Sequence, residues 1–147
     1  MILTVTANAA VDKRYVVNDA KLNTVNRVLV CEQSAGGKGI NVSRVARIAG
    51  EAVTATGFLG GDAGDYLRAE VEATGAAAAF VNCEGESRTC IHIWDEANKT
   101  QTEFLEPGIT VKESDKELLL KTYSELLSDA SVVTLCGSLP AGTDASL

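Results

Sequence analysis

No run of lysine or arginine, no C-x-x-C pair and no apolar run approaching the ~20 residues of a membrane span occurs in these 147 residues. Each absence excludes something. Without a basic cluster, and with a formal net charge of −7, the chain offers neither a nucleic-acid surface nor a patch for an anionic membrane. The four cysteines, Cys31, Cys83, Cys90 and Cys136, lack the spacing of a zinc site or a redox motif. They are expected to be reduced, buried, small hydrophobes of a cytoplasmic protein. The N-terminus has no basic region ahead of an apolar core, so no secretory signal is expected. The single histidine, His92, and single tryptophan, Trp94, fall inside one strand-like segment. There they are expected to serve as sheet residues rather than as a base, a ligand or a stacking platform. No internal repeat and no low-complexity linker divides the chain, and its length suits one domain.

What is present centres on Ser34-Ala35-Gly36-Gly37-Lys38-Gly39-Ile40-Asn41-Val42. Val42, Val45, Ala46 and Ala49 follow at the i, i+3, i+4, i+7 spacing of a helix lying on a core. Gly50 supplies its stop. The glycines therefore stand at a helix N-terminus, where free N–H groups and the positive end of the macrodipole receive anions or ligand oxygens. A plain tight corner is the competing reading. Two familiar phosphate loops do not fit: Lys38 is followed by Gly39 rather than Ser or Thr, and Val42 stands where the dinucleotide fingerprint wants a third glycine.

In chain order, Ile2–Thr6 reads as a strand running into small residues that end at Asp12, placed where parallel sheets meet ligands. Arg14–Val17 and Arg27–Glu32 read as exposed strands around a polar loop. Residues 52–56 form another strand, and Asp62 is set to cap a helix to about Thr74, with Leu67 and Val71 on one face. Residues 76–81 suit a buried strand. Arg88–Trp94 and Thr100–Leu105 read as a hairpin closed by Pro107-Gly108. Ser114 and Glu117 form a capping box for a helix with Leu119, Tyr123, Leu126 and Leu127 inward. Residues 131–136 form a last strand, and 141–147 look like the start of another helix. Alternating strands and helices predict a mainly parallel α/β sheet with right-handed crossovers. Residues 12–33 and 88–106 break that rhythm and predict a second, small antiparallel sheet.

Four motifs in order, Asn8-x-x-x-Asp12, Gly36-Gly37-Lys38-Gly39-Ile40-Asn41-Val42-x-Arg44, Gly57-x-x-Gly60-x-Asp62-x-Gly64 and Gly137-Ser138-Leu139-Pro140-x-Gly142, resemble the N-terminal half of the phosphofructokinase B family of ribokinase-like sugar kinases. The opening Thr4–Asp12 is most similar to the 1-phosphofructokinase and tagatose-6-phosphate kinase branch. The resemblance implies an incomplete three-layer, mainly parallel sheet with a lid of small antiparallel strands. It also implies ATP and Mg²⁺ as cofactors, a phosphorylated ketohexose as partner, and pairing with a second subunit through the lid. By position it implies that Asp12 meets sugar hydroxyls. Gly37 and Lys38 touch the sugar and Asn41 reads a hydroxyl. Arg88 meets the existing phosphate, with Arg27 a weaker candidate for it, and Ser138 faces that phosphate. The family usually has proline where Ala9 and Ala141 stand, which loosens both loops.

The family's Gly-Ala-Gly-Asp segment, with the base aspartate and anion hole, has no counterpart here. Gly61-Asp62-Ala63-Gly64-Asp65 belongs to the earlier motif. No catalytic base and no metal ligand are therefore expected in this chain, which is expected to be inactive alone. A non-catalytic fragment that binds sugar phosphate, or self-associates through the lid strands, is the alternative. A dehydrogenase-like nucleotide domain is disfavoured by Val42.

Overall fold

The structure, a computed structural model, describes residues 1–145. In chain order the elements are β1 (Ile2–Thr6), β2 (Ala10–Val17), β3 (Val30–Gly36), α1 (Lys38–Ile48), β4 (Val53–Leu59), α2 (Gly61–Ala73), β5 (Ala77–Ala78), β6 (Val81–Asn82), β7 (Arg88–Asp95), β8 (Thr100–Leu105), α3 (Glu113–Leu127) and β9 (Val132–Leu135).

The main sheet has the order β5-β4-β1-β9, with β6 also on β4, and every pairing is parallel. All seven residues of β4 are buried, as expected of a parallel strand covered on both faces. Val53, Ala55 and Leu59 face one cluster with Ile40 of α1 and Leu67 and Val71 of α2. Phe58 faces the other, with Val81, Ile109, Val111 and Leu119 of α3. The single strand expected over 76–81 is two short pieces. The Ala79 carbonyl accepts from Thr56 Oγ1 at 2.7 Å instead of continuing the ladder.

Three local expectations shift. The buried side of α1 is Gly39, Ile40 and Ser43, while Val45 is 65% exposed and Ala49 is exposed. The helix touches β1 through its glycine: a Cβ at Gly39 would lie 2.2 Å from Thr6 Oγ1 and 2.8 Å from the Val5 carbonyl oxygen. Ser43 Oγ bonds Thr4 Oγ1 across that contact. Gly60, not Asp62, occupies the N-cap of α2, and Glu86 from the next loop accepts from the Ala63 amide. At α3 the cap is Lys112, whose N–H donates to Asp115 Oδ2 at 2.9 Å, so the Ser114–Glu117 box is not formed. Residues 141–145 make a turn in which Ala141 pairs with Thr110, not a helix; 146 and 147 lie outside the described residues.

The second sheet has the order β3-β2-β7-β8. The β2–β3 and β7–β8 pairings are antiparallel, but β2 and β7 run parallel, so the sheet is mixed rather than antiparallel. β2 begins at Ala10, four residues earlier than the charge pattern suggests, and carries Asp12 within the strand. β3 begins at Val30 and leaves Arg27 in the preceding loop. Cys83 and Cys90 are buried as expected, but Cys31 on this edge strand is exposed and Cys136 is half-buried. Among the described residues no helix is long and apolar enough to cross a membrane.

Asp95 fastens the far end of this sheet. Its buried carboxylate accepts from the amides of Asp19, Ala20, Ala97 and Asn98 at 2.9, 2.8, 3.1 and 3.3 Å, and from Asn98 Nδ2 at 2.9 Å. The Asn98 side chain foremost, with the loop amides, holds the carboxyl well below its ordinary value of 3.8 against the opposing cost of burial. A depressed carboxyl stabilises the fold above the unfolded pKa and loses that contribution as pH falls. Hydrogen exchange of loop 18–29 is therefore expected to be slow at neutral pH and to gain speed, beyond its intrinsic pH trend, below about pH 4. Asp95→Ala is expected to abolish the protection at neutral pH.

Candidate functional site

Strand order reverses at β1, because the chain moves outward to β4 and β5 and then returns to place β9 on β1's other side. The carboxyl ends of strands flanking such a switch point form a crevice for ligands. Three segments meet there: Ala7-Asn8 after β1, Gly37-Lys38 at the start of α1, and Gly137-Ser138 after β9. Gly37 adopts φ +107°, and a Cβ there would lie 2.8 Å from Thr6 Cγ2. Only glycine fits that turn without strain.

Asn8 ties the segments together. Its Nδ2 donates to Ser138 Oγ at 3.3 Å and to the Pro107 carbonyl at 3.4 Å. Arg88, the first residue of β7, donates from Nη2 to the Asn8 carbonyl at 3.1 Å and to Ser138 Oγ at 3.4 Å. Ser138 Oγ accepts from both, which leaves its own O–H proton for a ligand. Arg88 Nε is buried and has no hydrogen-bond partner among the described residues. A guanidinium donor left unpaired in a buried position is costly and suits an anion that arrives from solution.

Asp12 lies on β2 opposite Ser34 and Cys90. Its carboxylate sits over Gly36, where a Cβ would come within 2.1 Å of Oδ2. Burial pushes the Asp12 carboxyl up, and the nearby His92, Arg88 and Arg44 side chains oppose that shift in falling order. Asp12, Arg14, Glu32, Ser34 and His92 line a cleft of about 450 Å³ on this face. His92 Nδ1 is 3.3 Å from Glu103 Oε1, so it is a paired sheet residue, as expected, that also borders the Asp12 cleft. A carboxyl whose folded pKa is raised costs stability at neutral pH. Asp12→Asn is therefore expected to raise the thermal midpoint slightly. A lowered midpoint in differential scanning calorimetry would contradict this.

Lys38 is exposed on the first turn of α1, its Cβ 4.0 Å from where a Cβ on Gly137 would stand. Asn41 is exposed one turn in, and its Oδ1 accepts from Arg44 Nη1 at 2.9 Å. Arg44 also donates to the Ala35 carbonyl. Arg27 does not join this group. It is exposed in the loop beyond the Val16–Val30 pair, and four residues of strand, ~13 Å, separate that pair from Asp12. Asn8 is the residue that site reasoning passed over; its place in the Asn8-x-x-x-Asp12 motif was the available signal.

The donor set here suits an anion and hydroxyls. Among the described residues no three His, Cys, Asp or Glu side chains converge.

Residues 4–147 match the pfkB family of carbohydrate kinases. This chain belongs to that family. Over 142 residues it is 43% identical to tagatose-6-phosphate kinase of Staphylococcus epidermidis, covering 97% of this chain and 45% of the relative. A solved possible 1-phosphofructokinase from Thermotoga maritima superposes with a TM-score of 0.91 at 38% identity, over 98% of this chain and 47% of that one. The phosphofructokinase-2 of Escherichia coli, in complex with fructose-6-phosphate, gives 0.89 at 27% identity, over 97% and 47%. The pfkB chain thus spans about half the length of the relatives it matches. Its parallel sheet with a separate small mixed sheet is the ribokinase-like fold that the motifs imply.

Proposed function

We propose that this pfkB chain forms the acceptor half-site of an ATP-dependent ketohexose-phosphate kinase, with fructose 1-phosphate as the acceptor sugar. The observation that carries the reading is the meeting of Arg88, Ser138 and Asn8 at the switch point, with Arg88 Nε buried and unpaired. In this reading Arg88 and the Ser138 hydroxyl hold the phosphate already on the sugar. Asp12 accepts from two neighbouring hydroxyls. The Gly37-Lys38 backbone lies along the sugar, and Asn41 reads a further hydroxyl as donor and acceptor. Arg27, exposed in the loop before β3, has no part in this half-site. The kinship with a tagatose-6-phosphate kinase makes tagatose 6-phosphate the competitor to compare.

Phosphoryl transfer in this family uses ATP with a divalent metal, which positions the γ-phosphoryl and neutralises its charge. No residue described here supplies a base for the attacking hydroxyl, so the 147 residues alone bind and orient the acceptor and transfer nothing. Incubation with ATP, Mg²⁺ and fructose 1-phosphate is expected to yield no ADP above background. Sustained ADP release by the purified chain would overturn the inactive reading.

Self-association through the lid is a second reading with its own observation. All six residues of β8, the outer lid strand, are exposed, with Phe104 at 58% and Leu105 at 59%. The E. coli phosphofructokinase-2 has also been solved in a tetrameric form. A cytoplasmic location is part of the same proposal.

A further inference from the structure

Side chains alternate across a strand, so Arg88, Cys90 and His92 share one face of β7, and Asp12 and Arg14 share one face of β2. The parallel register sets Asp12 opposite Cys90 and Arg14 opposite His92, which puts them all on the same face of the small sheet. Arg88 begins that face at the switch point. Each two-residue step leads ~6.6 Å further along it. The Asp12–Cys90 pair stands one step on, and the Arg14–His92 pair two.

The outer strands complete the second of these rows. Glu32 lies opposite Arg14, and Glu103 opposite His92. Arg14 Nη1 donates to Glu32 Oε2 at 3.0 Å, so its charge is already met. His92 Nδ1 lies 3.3 Å from Glu103 Oε1. Gln101 Nε2 is nearer to that oxygen, at 2.7 Å, than to Nδ1, at 3.4 Å. Nδ1 therefore carries a proton towards Glu103, and the ring is held from β8. That leaves Nε2 for whatever enters the cleft of about 450 Å³ that His92 and Asp12 line together.

The chemistry of the cleft decides what can enter. Asp12 and Glu32 bring negative charge, and the Arg14 guanidinium is paired, so a second phosphate is a poor occupant. Hydroxyls suit it, because each donates and accepts. An uncharged imidazole whose Nδ1–H serves Glu103 accepts at Nε2, and a charged one donates there. A hydroxyl satisfies either form.

We propose that His92 is a specificity-determining residue of the acceptor site, whose Nε2 hydrogen-bonds a hydroxyl of the sugar beyond those that Asp12 holds. The phosphate stays at Arg88 and Ser138, and the polyol chain runs along the small sheet past Asp12 to His92. Glu103 is then a positioning residue that fixes the ring through Nδ1. This deepens the sugar-phosphate reading and rests on it. A site built to hydrogen-bond a hydroxyl rejects an analogue that lacks it, because its own polar group is left unpaired.

Two substitutions separate the ring nitrogens. The shorter amide of His92→Asn reaches about as far as Nδ1, so it keeps a partner for Glu103 and gives up Nε2. The longer amide of His92→Gln does the reverse. In calorimetric titration with fructose 1-phosphate, His92→Asn is expected to bind about tenfold more weakly than the parent, and His92→Gln within about threefold of it. Inorganic phosphate, held at Arg88, is expected to bind all three alike. Singly deoxygenated fructose 1-phosphates then identify the hydroxyl. One analogue is expected to bind the parent about tenfold more weakly than fructose 1-phosphate, yet to bind the parent and His92→Asn equally. His92 is half-buried on a sheet face, and thermal melts verify that both variants fold. Parent-like affinity in His92→Asn, with His92→Gln the weaker binder, would make His92 a purely structural partner of Glu103 and overturn the inference. So would a deoxy series in which parent and His92→Asn lose equally throughout. Either result leaves the acceptor reading standing, whereas a folded parent that binds no fructose 1-phosphate overturns both.

Discussion

Arg88→Ala is expected to lower the affinity for fructose 1-phosphate by about 100-fold and to affect any weak binding of free fructose far less. The magnitude follows from charge-assisted hydrogen bonds, each worth about 1.5–3 kcal/mol when lost. In the ligand-free chain one Arg88 nitrogen already serves the Asn8 carbonyl and Ser138 Oγ, so truncation also loosens the crevice. Arg88→Lys separates the two effects. A lysine keeps the charge but loses the fork that engages two phosphate oxygens together. It is expected to recover part of the affinity, within about tenfold of the parent. Phosphorus NMR titration follows the ligand phosphate directly. Equal losses for fructose and fructose 1-phosphate would mean that Arg88 shapes the sugar pocket and does not hold the phosphate.

The largest stability effect belongs to Gly57→Ala, a residue that touches no ligand. Gly57 has φ +143°, and a Cβ there would stand 1.9 Å from the Thr6 carbonyl oxygen and 2.7 Å from its carbon. Both atoms are backbone of β1, paired with β4 in the centre of the sheet, so neither can move aside without breaking the ladder. Strain of this backbone conformation and overpacking of the core each cost about 1–3 kcal/mol. Together they approach the whole stability of a small domain. The variant is expected to be largely unfolded in urea titrations in which the parent is native. Gly50→Ala is the control: its φ is +90°, but a Cβ there meets nothing within 4 Å, so only the conformational cost remains. Equal midpoints for the two variants would show that β1 and β4 are not packed as described.

These two residues also show what the sequence disclosed. The position of Arg88 at the start of a strand was legible in the hairpin pattern. The structure then brings it to Ser138, fifty residues away. The glycine cluster at 36–39 was legible as a helix N-terminus, but the separate duties of its members were not. Gly36 makes room for the Asp12 carboxylate, Gly37 takes a left-handed turn, and Gly39 lets α1 press on β1. The phase of α1 was missed for that reason: its contact face is glycine and serine, which an apolar stripe does not reveal. The start of β2 was missed because Ala10 to Lys13 are small or polar. They become a strand because β3 and β7, both distant in sequence, run beside them. The family pattern groups Arg27 with Arg88, whereas the register of β2 and β3 sets it at the other end of the small sheet from Asp12. Such tertiary placement has no local signal.

The central claim is that this half of a pfkB kinase carries a formed acceptor site, and calorimetric titration of the purified chain with fructose 1-phosphate tests it most directly. Free fructose and inorganic phosphate serve as controls. Saturable one-to-one binding that needs both sugar and phosphate, and that disappears in Asp12→Ala and Arg88→Ala, is the predicted result. No heat of binding from a chain shown to be folded would contradict it.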